Sequence, residues 1–231
     1  MVFPGYLAMT DYELQHCAAL PCSVAWMACY FSAYGWGLSN IPNTLPKNSL
    51  ILLTDQVPPQ GHDPDMVAQQ LSHAAKTLDA RGIILDFQRE YTPECLQIAQ
   101  AIRKKLPCPV AITPTYAKDW DGPVFLPPIP PEHSVKKHLT PWENREIWLE
   151  ADNQGSILTV DHAGCTKEVL TEPLEEPIFY DESLCCHYHI TLHSDRAEFY
   201  LMRTDEDLCN LLRNAEASGV SLCVGLYQQF R

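Results

Sequence analysis

The chain has 231 residues, a formal charge of −13, 46% hydrophobic residues and 19% charged ones. At about 100–200 residues per domain, that is one large domain or two small ones, with ample material for a packed core and no compositional sign of disorder. The negative charge excludes a nucleic-acid backbone or an anionic membrane surface as a general partner, since both need a basic footprint.

The N-terminus has no basic region, and Pro4, Gly5 and Asp11 interrupt its apolar run, so it does not read as a signal peptide. The longest apolar stretch, 24–34, is shorter than the ~20 residues a bilayer span requires. Ten cysteines include no Cys-x-x-Cys pair, and several lie inside apolar runs, where they read as buried, reduced thiols. These features together predict a cytoplasmic protein.

Ser23–Phe31 is the first predicted strand, closed by Ser32-Ala-Tyr-Gly35. Leu50–Thr54 is the second and ends at Asp55. Asp63-Pro64 then opens a helix, with aspartate as N-cap and proline in the first turn. Its apolar stripe is Met66, Val67, Leu71, Ala74, Ala75 and Leu78. Gly82–Phe87 is a third strand, and Thr92-Pro93-Glu94 opens a second helix. Pro109–Thr113 and Pro123–Leu126 are a fourth and a fifth strand. Near-continuous apolar strands alternating with helices point to a parallel sheet covered on both faces.

The pattern changes after Pro131. Arg145–Ala151 and Ser156–Val160 flank Asp152-Asn-Gln-Gly155, and His187–Leu192 and Ala197–Met202 flank Ser194-Asp-Arg196; both read as hairpins. A helix capped by Thr204 and a strand at Ser221–Tyr227 close the chain. The expected fold is α/β: a TIM-like (β/α) barrel with an antiparallel β-meander replacing the sixth and seventh βα units. It is read as a single domain, 1–231, with a regular βα part (1–130) and a meander plus closing βα unit (131–231). The first part carries a net charge of −3 and the second −10. The second reads as a solvated acidic face, or as a docking surface for a basic partner.

The third strand carries the candidate chemistry. Side chains alternate with period two, so Ile83, Leu85 and Phe87 share one face and Ile84, Asp86, Gln88 and Glu90 the other. In a barrel the second face points inward, and its polarity rises toward the carboxyl end, where barrel active sites are built. Asp86-x-Gln88-x-Glu90 resembles the Asp-x-Asp-x-Glu strand motif of chitinase-like family 18 glycoside hydrolases, which are TIM barrels. The resemblance spans about ten residues. It implies that Glu90 protonates the leaving oxygen and that Asp86 raises the proton affinity of its neighbour. Gln88 stands where the family has an aspartate that orients the substrate N-acetyl group, and a neutral amide cannot offset positive charge there. Phe31-Ser-x-Tyr34-Gly-x-Gly-Leu-Ser-Asn-x-Pro42, Gly61-His-Asp-Pro64 and Leu85-Asp-Phe-Gln-Arg89 also resemble a group of uncharacterised short bacterial barrel-like proteins, which transfers no activity.

The remaining candidates lie at other strand ends. Asp55 and Tyr116 follow the second and fourth strands, as substrate contacts or as ordinary loop residues. Tyr34 and Trp36 sit between flexible glycines and offer flat faces for stacking on a sugar ring. Tyr227 and Gln228 end the last strand and would complete the pocket floor. His187, His189 and His193 share a strand face without an accompanying carboxylate motif, and read as a solvent-facing row rather than metal ligands. No phosphate-binding glycine loop is present, so no cofactor and no metal is expected. The expected function is a glycoside-hydrolase-like barrel acting by acid-assisted hydrolysis on an amino-sugar-containing glycan. The alternatives are a non-catalytic carbohydrate-binding or scaffold barrel and an interaction protein using the acidic meander. A small glycan is the expected partner, and no nucleic acid or membrane.

Overall fold

The computed structural model describes residues 5–17, 19, 22–35, 37–172, 174 and 178–230. Strand β1 (Tyr6–Met9) leads through helix α1 (Asp11–His16) to β2 (Ser23–Phe31) and the short β3 (Leu38–Ser39). Next come β4 (Leu50–Thr54), α2 (Pro64–Thr77), β5 (Gly82–Asp86), α3 (Pro93–Lys105), β6 (Val110–Ile112), β7 (Val124–Leu126), α4 (Val135–Leu139) and β8 (Ile147–Ala151). Five strands follow: β9 (Gly155–Asp161), β10 (Gly164–Leu170), β11 (Phe179–Asp181), β12 (Cys186–Leu192) and β13 (Arg196–Met202). The chain closes with α5 (Asp205–Ala217) and β14 (Val220–Leu226).

The strands form two sheets. One runs β1-β14-β8-β7-β6-β5-β4-β2-β3, and a further β1–β2 pairing closes it. Eight of its strands make a closed parallel barrel, and β3 pairs antiparallel on the end of β2. The second sheet is antiparallel, in the order β10-β9-β13-β12-β11. The fold class is therefore the expected one, a TIM-like barrel accompanied by an antiparallel sheet.

Several elements differ from the sequence reading, which did not assign α1, β3, β10 or β11, and two of the differences change the barrel itself. Tyr6–Met9 is a barrel strand, too short and too close to Pro4 and Gly5 to register as one by pattern. Ile147–Ala151 is not half of a hairpin. It runs parallel to β7, with Val124 opposite Ile147 and Leu126 opposite Leu149, and all but one of its residues are buried. The Asp152-Asn-Gln-Gly155 turn joins a barrel strand to the other sheet.

The chain forms two compact units. Among the described residues, one takes those from Gly5 to Pro127, Asn144–Glu150 and those from Ser221 to Phe230; the other takes those of Pro128–Glu143 and Ala151–Val220. In the barrel unit the two strand faces separate as period two demands. Ile51, Leu53, Ile83, Leu85 and Phe87 point outward and pack with Val67, Leu71 and Ile98 of the helices. Leu50, Leu52, Ile84, Ala111, Phe125 and Trp148 fill the interior. The helices start where the caps predict. Asp63 accepts from the Asp65 amide at 2.9 Å and Thr92 from the Cys95 amide at 3.3 Å, each followed by proline at the first position.

The second unit is organised around a buried cation. The Arg203 guanidinium donates to four backbone carbonyls: Ile129, Pro130, Leu184 and Cys185. His187 meets buried Asp207 at 2.8 Å, and Asp207 also closes the capping box of α5 with Thr204. No cysteine forms a disulfide, no cluster of metal-ligating side chains occurs, and no helix is long and apolar enough to cross a membrane, among the described residues.

Candidate active site at the barrel mouth

A cavity of about 240 Å³ opens at the carboxyl ends of the barrel strands. Its apolar wall includes Met27, Leu52, Phe125, Val224 and Leu226. Its polar groups are Thr54, Asp55, Gln56, Asp86, Gln88 and Glu150. Thr54 and Asp86 are the last residues of β4 and β5 and lie opposite each other. Met27, inward by simple alternation from Ala25, lines the cavity, and β2 slips by one residue between Trp26 and Cys29. Ala25 and Met27 face the interior before that slip, whereas Cys29 and Phe31 face the helices after it. A bulge beside a site re-aims a side chain in this way.

Asp86 is the chemically distinctive group. Burial pushes its carboxyl upward; the Gln88 amide opposes the shift, and the nearby Asp55 charge adds to it. The Gln88 side-chain amide donates to both Asp86 carboxylate oxygens, at 3.1 and 3.2 Å. Asp55 is 3% exposed and accepts from the backbone amides of Gln88 and Arg89, at 2.9 and 3.0 Å. It therefore fixes the loop that carries Gln88 as well as lining the cavity.

The other expected site residues are dispersed. The strand ends at Asp86, so alternation cannot be extrapolated to Glu90, which is exposed and does not line the cavity. Tyr116 holds the backbone on either side of Tyr91. It is 1% exposed, packs edge-on against Phe87, accepts from the Thr92 amide at 3.1 Å and donates to the Glu90 carbonyl at 3.5 Å. Its phenol, pushed up to about 12 by burial, clamps the loop from the helix side. Asp55 and Tyr116 thus pin the 88–92 segment at its two ends.

Tyr34 is 84% exposed and stands apart from the cavity. Trp36 lies outside the described residues. Tyr227 is half-buried against the cluster of Leu7, Met9 and Val24, and Gln228 is exposed and donates to Glu13. Neither lines the cavity. The histidine row is not solvent-facing throughout: His187 is half-buried on Asp207, and His193 lies 3.3 Å from Glu198. Glu150 is the lining carboxylate that the sequence reading missed. Its strand, assigned to a hairpin, carried no expectation of an inward face at a barrel mouth. Trp148 in the interior layer, two residues before it, was the available signal.

No protein-family profile and no curated protein matches the chain. Its fold is similar to several solved structures. The C-terminal domain of a chitinase candidate from Desulfitobacterium hafniense DCB-2 aligns with a TM-score of 0.55 at 11% identity, over 97% of this chain and 93% of that one. The spore cortex-lytic enzyme SleL of Bacillus cereus aligns with a TM-score of 0.52 at 11% identity, over 96% and 70%. A chitinase from Chromobacterium violaceum ATCC 12472 aligns with a TM-score of 0.51 at 9% identity, over 96% and 93%. At such identities the likeness is one of fold.

Proposed function

We propose that the barrel-mouth cavity binds an amino-sugar-containing glycan and hydrolyses a glycosidic bond, with Asp86 as the proton donor. The observation that carries this reading is the placement of Asp86. Its carboxyl lies at the carboxyl end of an inward strand face, is raised by burial, and lines an open cavity. A raised carboxyl is the property a general acid needs near neutral pH. Glu150, from another strand, supplies the second carboxylate that glycoside hydrolysis usually employs. The oxocarbenium-like transition state carries positive charge, and a carboxylate-lined cavity with an apolar wall favours it. Glu90, outside the lining, has no place in this scheme. The structures of similar fold include proteins described as chitinases and a spore cortex-lytic enzyme, and this agrees with the reading.

One observation favours binding without turnover. The group beside Asp86 is an amide, and its two hydrogen bonds favour the ionised carboxylate over the acid. The test is release of new reducing ends from oligosaccharides containing N-acetylglucosamine and glucosamine. Release is expected with the native chain and not with Asp86→Asn. Release that survives Asp86→Asn overturns the assignment of the donor. Binding without release selects a carbohydrate-binding barrel.

A further inference from the structure

The charge of the cavity narrows the ligand. Two carboxylates, Asp55 and Glu150, line it beside the proton-donating carboxyl of Asp86, and no lysine, arginine or histidine does so among the described residues. The remaining polar lining is one hydroxyl, Thr54, and two side-chain amides, Gln56 and Gln88. Around these groups stand Phe125, which is 4% exposed, and Leu52, Val224 and Leu226. A concave site with one sign of charge and low-dielectric walls focuses its field into the cavity. The overall charge of −13 adds to that field rather than opposing it.

An N-acetylated sugar brings no charge to such a site. A sugar with a free amino group brings an ammonium ion, which carboxylates can pair with by charge-assisted hydrogen bonds. The cavity also offers Phe125, and an aromatic ring face attracts an ammonium ion. We infer that the barrel-mouth cavity selects a glycan bearing a free, protonated amino group over its N-acetylated counterpart. This rests on the glycan reading above and names the substrate class within it.

Calorimetric titration of the native chain with two disaccharides tests the inference, one built of glucosamine and the other of N-acetylglucosamine. The glucosamine disaccharide is expected to bind about tenfold or more tightly at low salt, and its advantage shrinks as salt screens the field. Glu150→Gln, which removes one of the lining carboxylates, is expected to reduce that advantage several-fold. The melting temperature of this near-isosteric variant reports whether it remains folded. Equal or tighter binding of the N-acetylated disaccharide overturns the inference and leaves the glycan reading standing. If neither sugar binds, both fall.

Discussion

Strands β5 and β12 are both rich in apolar residues, yet the molecule uses them in opposite ways. In β5 the run Ile83-Ile84-Leu85 has no exposed surface, because helices cover one face and the barrel interior the other. In β12 apolar and polar residues alternate, and Ile190 and Leu192 remain 36% and 77% exposed. A parallel barrel strand is closed in everywhere except at its carboxyl end, so any polar residue there stands out as functional. An antiparallel strand has an open face along its whole length, so polar residues on it say little.

The largest effect is expected at the one polar position that ends β5. Asp86→Asn is expected to lower turnover by about 10²–10⁴-fold, the usual contribution of a general acid. In the native chain, turnover should fall as pH rises through the raised Asp86 value, where the donor loses its proton. The same shift acts on stability. A carboxyl raised by folding binds its proton more tightly in the folded state, so its contribution declines as pH rises from the ordinary 3.8 through the raised value. Denaturation across that window should show Asp86→Asn gaining on the native chain as pH increases. A turnover profile flat across it would remove Asp86 from the mechanism.

Within the buried run of β5, Leu85→Ala should cost about 3–4 kcal/mol, since the site is closed on all sides and leaves a cavity. Urea denaturation measures it. In the antiparallel unit the corresponding weak point is not a strand residue but Arg203. Arg203→Met leaves four carbonyls without their shared donor, and a loss of about 3 kcal/mol is expected. Hydrogen exchange should show the loosening around Leu184 and Cys185 first. If strand amides of the barrel lose protection equally, the two units do not unfold separately and the contrast between them is weaker than drawn.

Tyr116→Phe addresses the clamp behind the site. It removes one acceptor for the Thr92 amide and one donor to the Glu90 carbonyl, and about 1 kcal/mol is expected. Faster exchange at the Thr92 amide, with the Asp55-bound amides of Gln88 and Arg89 unaffected, would locate the effect at one end of the loop.

The barrel was legible because its signals are local. Asp63-Pro64 and Thr92-Pro93 announce helices, and the parity of Ile83, Ile84 and Leu85 assigns their faces correctly. Parity fails where the backbone stops being extended. Period two places Glu90 inward only by extending the alternation four residues past the end of β5, but Asp55 and Tyr116 turn that segment aside. Both clamps come from elements distant in sequence, so no window around Glu90 contains the cause. Glu150 was missed for a related reason. A glycine five residues after it reads as a turn within a hairpin, and only the pairing with β7 shows that the strand before the turn belongs to the barrel. Ile147–Ala151 and the hairpin strands have similar local composition; what separates them is the partner, which is a tertiary fact.

The smallest expected effect tests the open face itself. Phe179, Tyr188, Ile190 and Leu192 share one side of the antiparallel sheet by register, with Phe199 and Leu158 beside them in the neighbouring strands. Leu192 is the most exposed of these. Replacing it with threonine keeps β-propensity and removes apolar surface that water already reaches, so the change in stability should stay within about 0.5 kcal/mol. An equally small effect is expected at Ile190, which is 36% exposed, only if its neighbours leave it free to relax. The informative result is the magnitude at Leu192. A loss well above 1 kcal/mol by urea denaturation would mean that this residue is packed in solution, and that the sheet is not the open counterpart of the barrel strand. A change near zero keeps the contrast: the same apolar residue types are structural where two layers enclose them and energetically idle where one layer is missing.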